Sequence, residues 1–290
     1  MEVQSLRCSI NEQEFKLFQD YIEKQSGIIV PPEKAYLIET RLSKLMLDAG
    51  AESFGEFYDF IISDKDPRVS EKIINAITIN ETMWFRDTAP WKVLEESILP
   101  GLVEELVSCR KLKVRIWCAA VSTGQEAYSA VMCVDDYLNR NRVEGLDLSR
   151  FSFLATDISG SALDIAKHGR YDKISIKRGL NDYYRDKYFS NSGSVWDIDP
   201  KIRNAVRFER FNLQESYSKF GVFDIIFCRY VLIYFSNEVK KEIAVKMRDS
   251  LTDGGVFFTG NYVLYDLLKD DFESRYYNNL TYYIKKGRLQ

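Results

Sequence analysis

The chain has 290 residues, enough for one large or two smaller domains with a buried core. Hydrophobic residues make up 46% and charged residues 29%, the balance of an ordinary globular protein. A net charge of −3 with a pI near 5.5 argues against bulk nucleic-acid binding, no apolar run approaches the ~20 residues that span a bilayer, and a single histidine excludes a histidine-rich metal site.

The first residues, MEVQSLRCSINEQEF, lack the charged-then-apolar pattern of a signal peptide. Residues 1–80 read as a helical unit. Asn11 with Glu14 forms a capping-box pattern, Phe15, Phe18, Tyr21 and Ile22 recur at helical spacing, and Gly27 ends the run. Pro31-Pro32 open a second helix that Gly50 closes. Its apolar stripe is Leu37, Ile38, Leu42, Leu45 and Met46, while Lys34, Arg41 and Lys44 share another face. Ser53 with Glu56 opens a third helix, and Pro67 a fourth with Val69, Ile73, Ile74 and Ile77 inward.

Residues 81–112 read as a linker and leading helix. The segment NETMWFR, Asn80–Arg86, breaks the helical pattern, and Thr88 is expected to cap a helix through about Ser108. From 113 to 290 strands and helices alternate: strand 114–118, helix 125–140, strand 151–156, helix 161–168, strands 206–210 and 223–228, helix 236–251, strand 255–260 and a last strand near 280–284. Alternation of this kind implies an α/β fold, a mainly parallel sheet with helices on both faces. Residues 171–206 are too long for an ordinary connection. They read as an inserted subdomain, with a short helix near Asn181–Phe189 and a small antiparallel sheet. His168 before Gly169 fits the last turn of a helix. The cysteines, Cys8, Cys109, Cys118, Cys133 and Cys228, form no CxxC pair and read as reduced thiols of a cytosolic protein.

The stretch Val114–Tyr128, VRIWCAAVSTGQEAY, organises the second half. A strand runs into a small-residue turn, and a helix begins at Gln125 and Glu126. Ligands of open α/β sheets lie beyond the carboxyl ends of the strands. With only one glycine, the turn alone points weakly to a nucleotide-like ligand. Three further strand ends add to it. Asp157 follows FLAT, where an acid can bind both hydroxyls of a ribose, with Ser159 free to cap the next helix. Asn212 and Leu213 follow the strand at 206–210, and Arg229, Tyr230 and Val231 follow FDIIFC, with Tyr234 five residues beyond Arg229.

NETMWFRD, RIWCAAVSTGQEAYS, FLATDIS, RFNL and FDIIFCRYVLIYF, in this order, resemble the CheR family of chemotaxis methyltransferases, as does SGIIVPPEKAYLIETRLSKLM in the helical unit. The resemblance runs over about residues 11–285. It implies a small all-helical domain before a Rossmann-like class I S-adenosylmethionine methyltransferase domain with an inserted small antiparallel β-subdomain, which in some members docks a receptor tether. It implies methylation of receptor glutamates, with S-adenosylmethionine as cofactor and S-adenosylhomocysteine as product. The implied partner is the cytoplasmic signalling domain of methyl-accepting chemotaxis receptors, met by a cytoplasmic monomer without nucleic acid or membrane insertion. Residue by residue, Asn80, Thr82, Arg86, Glu126, Asp157, Asn212, Leu213, Tyr230 and Val231 match the cofactor site. Arg86 and Tyr234 match residues near the transferred methyl, and Lys34, Arg41 and Lys44 match the receptor-docking face. Tyr230 stands where the family usually has Asn, Ala127 where it usually has Pro, and Asn261-Tyr262-Val263 where a Ser-Glu turn is usual. An adaptor that binds receptor or cofactor without turnover is the alternative reading.

Overall fold

Asn11 and Glu14 close a reciprocal capping box on the first helix, α1 (Glu12–Ser26), and Gly27 ends it in the left-handed conformation. The computed structural model describes residues 9–63, 67–260 and 269–287. After a 3₁₀ turn at Pro32–Lys34 come α2 (Ala35–Asp48), α3 (Phe54–Ser63) and α4 (Pro67–Ile77). Their apolar stripes converge on Phe18, Ile22, Ile38, Leu42, Phe57 and Ile73, a core separate from that of the sheet. Phe18 is its centre, with the rings of Phe54 and Phe57 each 5.8 Å away.

The segment after α4 is pinned by Trp84. Its buried indole donates Nε1–H to the Ser175 carbonyl at 3.1 Å and meets the rings of Tyr171 and Phe189 edge-on. Next come α5 (Thr88–Val93), a π-helical turn (Leu94–Ile98) and α6 (Leu99–Val107), an unbroken run. Thr88 is the first helical residue rather than the cap. The cap position belongs to Asp87, whose side chain makes no capping bond, because it is engaged across the site.

The second unit consists of β1 (Val114–Ala119), α7 (Gln125–Arg140), β2 (Phe151–Asp157), α8 (Gly160–His168), an insert, β6 (Val206–Arg210), β7 (Phe223–Phe227), α12 (Asn237–Asp249), β8 (Leu251–Phe258), β9 (Phe272–Tyr277) and β10 (Leu280–Lys285). The strand order is β6-β2-β1-β7-β8-β10-β9. The first five are parallel, and β10 pairs antiparallel with both β8 and β9, a Rossmann-like mixed sheet. Ser236 caps α12, which ends at Asp249, so β8 begins four residues earlier than expected and stops at Phe258. The edge strand β9 was not expected, because half of its side chains are exposed and its pattern is not strongly apolar. His168 closes α8 as expected, with Nδ1 2.5 Å from the Asp164 carbonyl. The turn Asn261-Tyr262-Val263 lies outside the described residues, as does Cys8.

The insert holds β3 (Arg170–Asp172), α9 (Lys173–Lys177), α10 (Asp182–Tyr188), β4 (Phe189–Ser192), β5 (Val195–Ile198) and α11 (Pro200–Asn204), with the strands in an antiparallel sheet of order β3-β5-β4. Two buried carboxylates on α7 fasten it. Asp135 accepts from Tyr188 Oη at 2.8 Å and Lys201 Nζ at 2.5 Å. Asp136 accepts from Tyr183 Oη and Lys187 Nζ, both at 2.6 Å, and from Arg140 Nε at 2.7 Å.

Candidate active site

The carboxyl ends of β1, β2, β6 and β7 open into a cleft of about 1120 Å³, counting the solvent at its mouth, closed on the far side by residues 78–86 and the end of α1. Of the residues singled out from sequence, Asn80, Thr82, Arg86, Glu126, Asp157, Asn212, Leu213, Tyr230, Val231 and Tyr234 all line it. Arg229 lines it too and proves central, although its place at a strand end was the only sequence signal for it.

The turn after β1 is built under strain. Ala120 and Ser122 both have positive φ, 60° and 54°, a conformation that disfavours residues with a Cβ. It is held by hydrogen bonds from Val121 N to the Thr156 carbonyl at 3.0 Å and from Ser122 N to Asp157 Oδ2 at 2.7 Å. Gly124 completes the turn at φ 93°, where a Cβ would lie 2.8 Å from that of Ala166. Phe85, Asp87 and Tyr230 are likewise in the left-handed region, so backbone strain gathers around this cleft.

Asp157 is less free than its sequence position suggested. Ser159 does cap α8, yet Asp157 also accepts backbone N–H groups on both oxygens, from Ser122 and, at 2.9 Å, from Ser159. Each oxygen keeps a further lone pair. Burial pushes its carboxyl above the ordinary range, against the pull of these backbone donors.

Arg229 spans the cleft floor with its side chain wholly shielded. Nη1 lies 2.8 Å from Glu126 Oε2, and Nη2 reaches Asp87 Oδ2 at 2.6 Å and the Arg86 carbonyl at 2.7 Å. Its Nε is buried and, among the described residues, has no hydrogen-bond partner. Glu126 is 12% exposed, and burial raises its pKa although Arg229 and Arg86 oppose the rise. Among the described residues its Oε1 has no hydrogen-bond partner.

Tyr230, the bulky departure, stands at the cleft wall. Its ring carries the Arg86 guanidinium 3.6 Å from the centroid, its hydroxyl donates to Asp87, and a Cβ on Gly260 would meet it at 3.3 Å. Burial and the Asp87 carboxylate raise its pKa. Tyr234 lines this cleft and also a smaller apolar trough beside Val30, Pro31, Lys34 and Leu37. Burial keeps its phenol raised, despite Arg86.

The helical unit closes the cleft through hydrogen bonds to these same loops. Asn212 Nδ2 donates to the Gln25 carbonyl at 2.9 Å, Ile29 N to the Tyr234 carbonyl at 2.9 Å, Ser122 Oγ to the Asn80 carbonyl at 2.8 Å and Ser159 Oγ to Asn75 Oδ1 at 3.0 Å. The Asn212 amide nitrogen is therefore already engaged, which leaves buried Leu213 as the free apolar wall there.

The three basic residues are not equivalent. Lys34 lies in the 3₁₀ turn before α2 and Lys44 on α2, both exposed. Arg41 is half-buried, and its Nη1 donates to the carbonyls of Ala76, Ile77 and Thr78 at 3.3, 2.8 and 3.1 Å, capping the C-terminus of α4.

The donor set fits a nucleoside amino acid with a positive centre: a carboxylate with spare lone pairs for hydroxyls, an apolar wall, and a second carboxylate at a helix start. The cleft matches in chemistry what comparison with known proteins finds. Residues 13–78 match the model of the CheR methyltransferase all-alpha domain, and residues 80–276 that of the CheR methyltransferase SAM-binding domain. The chain is 40% identical to chemotaxis protein methyltransferase 1 of Pseudomonas aeruginosa over 90% of its length and 93% of the relative's. It is 40% identical to chemotaxis protein methyltransferase Cher2 of Pseudomonas putida, covering 85% and 88% of the two chains. Identity to a chemotaxis protein methyltransferase of Vibrio anguillarum is 37%, over 91% and 94%. Among the described residues no helix is long and apolar enough to cross a membrane. With both domain models matched in order and relatives aligned nearly end to end, the chain belongs to the CheR methyltransferase family.

Proposed function

We propose that the protein methylates glutamate side chains on the cytoplasmic signalling domain of methyl-accepting chemotaxis receptors, giving glutamate methyl esters for sensory adaptation and S-adenosylhomocysteine as product. The observation that carries this reading is the convergence of Glu126, Asp157 and Leu213, from three strand ends, with Arg86 and Tyr234 in one cleft. The relatives' names, chemotaxis protein methyltransferases, support methyl transfer within chemotaxis.

S-adenosylmethionine, when bound, supplies an electrophilic methyl on a sulfonium. Asp157 would accept the ribose hydroxyls with its remaining lone pairs, Leu213 would pack against the adenine, and Glu126 Oε1 would accept from the amino group. The substrate glutamate is already ionised at neutral pH, so no general base is needed. That suits a cleft whose chemistry rests on Arg86 and Tyr234. Arg86 orients a carboxylate through its planar donor fork. Tyr234, kept neutral by burial, walls the transfer channel. Transfer removes one positive and one negative charge, so a cleft poor in water favours it. Asn80 and Thr82 line the linker side, Val231 the β7 side, and exposed Lys34 and Lys44 form the docking face for the receptor, which Arg41 braces through the end of α4.

Calorimetric titration with S-adenosylhomocysteine, paired with transfer of labelled methyl to a receptor cytoplasmic fragment, tests the reading. Micromolar binding, about −8 kcal/mol, with base-labile methyl on the fragment is expected. Binding without transfer would instead support the adaptor. Absence of binding overturns the methyltransferase and the cofactor-binding adaptor alike.

A further inference from the structure

Among the described residues, the guanidinium of Arg86 donates no hydrogen bond and forms no ion pair. It is not loose, for it rests on the Tyr230 ring, 3.6 Å from the centroid. A cation held by the face of an aromatic ring spends none of its N–H donors on hydrogen bonds in that contact. A salt bridge would hold it as well but would consume the donors needed for a bound carboxylate.

The ring is fixed from three sides. Its hydroxyl donates to the Asp87 carboxylate, which Arg229 Nη2 holds at 2.6 Å. Its backbone is locked at φ 60° by the turn after β7. Its edge lies so close to Gly260 that a Cβ there would meet Cε2 at 3.3 Å. Arg229, itself anchored on Glu126, thus passes its rigidity to Asp87, then to Tyr230 and finally to Arg86.

We infer that Tyr230 is a positioning residue that presents the Arg86 guanidinium to the substrate side with its donors unspent. The inference rests on the proposed function, which assigns Arg86 to carboxylate binding during transfer. It gives Tyr230 a constructive use: the phenol forms a shelf at the cleft wall and does not plug the cleft.

Tyr230→Leu, Tyr230→Phe and Arg86→Met, and the double variant of Arg86→Met with Tyr230→Leu, test it, after thermal melts establish that each is folded. Tyr230→Leu is expected to lower kcat about tenfold with the KM for S-adenosylmethionine changed less than about threefold. Tyr230→Phe keeps the shelf and recovers most of that loss. Once Arg86 is methionine, removing the ring costs less than about twofold more. Independent of turnover, the Arg86 side-chain protons carry an upfield ring-current NMR shift in the wild type and lose it in Tyr230→Leu. Wild-type kcat in Tyr230→Leu, a multiplicative loss in the double variant, or no ring-current shift overturns the inference. A wild type that shows the shift but transfers no methyl overturns the proposed function and leaves the shelf standing.

Discussion

Arg229 and Glu126, 103 positions apart in the chain, meet with Nη1 2.8 Å from Oε2, and the arginine side chain has no exposure to solvent. The same guanidinium holds Asp87 and the Arg86 carbonyl, so one buried cation joins β7, α7 and the linker.

Removing that cation strands a carboxylate. Arg229→Met is expected to destabilise the protein by about 3–5 kcal/mol, since Glu126 is left buried without its counter-charge. Urea denaturation checks the value. The double variant with Glu126→Gln should recover part of the loss, because the stranded charge is then gone. A single-variant loss below about 1 kcal/mol would contradict the structure.

Arg86→Ala should separate chemistry from folding. With no hydrogen bond or ion pair of its guanidinium among the described residues, its loss leaves the melting temperature nearly unchanged. Transfer to a receptor fragment should fall by about 10²–10³-fold. Wild-type turnover in this variant would remove Arg86 from the mechanism.

Acid should loosen the insert first. Burial acts to raise the Asp136 carboxyl, but hydrogen bonds from Lys187, Tyr183 and Arg140 outweigh it, and the net shift is downward. A carboxylate with a depressed folded pKa contributes stability that is present above its ordinary value near 4 and lost as pH falls through the folded value. Hydrogen exchange in α10 and β4 should therefore accelerate below about pH 4. Asp136→Asn should show the faster exchange at neutral pH already, with little further change on acidification.

Arg41 should behave differently from its basic neighbours. Arg41→Ala removes the cap on the last two carbonyls of α4 and on that of Thr78, and is expected to cost about 1–2 kcal/mol of stability. The double charge reversal Lys34→Glu and Lys44→Glu should leave the melting temperature alone. It should raise the KM for an acidic receptor fragment without moving the affinity for S-adenosylhomocysteine. An unaltered receptor KM would take Lys34 and Lys44 out of the docking face.

The alternation of strands and helices, the capping box at Asn11 and the strand-end positions of Glu126, Asp157, Asn212 and Tyr230 were legible in the sequence, because periodicity and local caps are short-range signals. What Asp157 holds was not, since Ser122 N comes from a turn 35 positions away. The burial of Arg229 and the stack of Arg86 on Tyr230 depend on pairings more than 100 residues apart, for which a single sequence carries no pattern. Strand β9 escaped for a simpler reason. As an edge strand it leaves half of its side chains exposed, and only pairing with β10 makes it a strand.

The hydrogen bonds that join Gln25, Ile29, Asn75 and Asn80 to the cleft loops also bear on how the molecule melts. Two units with separate cores, left to themselves, would take up heat in two steps. Here the helical unit cannot detach without uncovering the backbone carbonyls of Gln25, Tyr234 and Asn80 together. A scanning calorimeter should accordingly record one peak whose calorimetric and van't Hoff enthalpies agree.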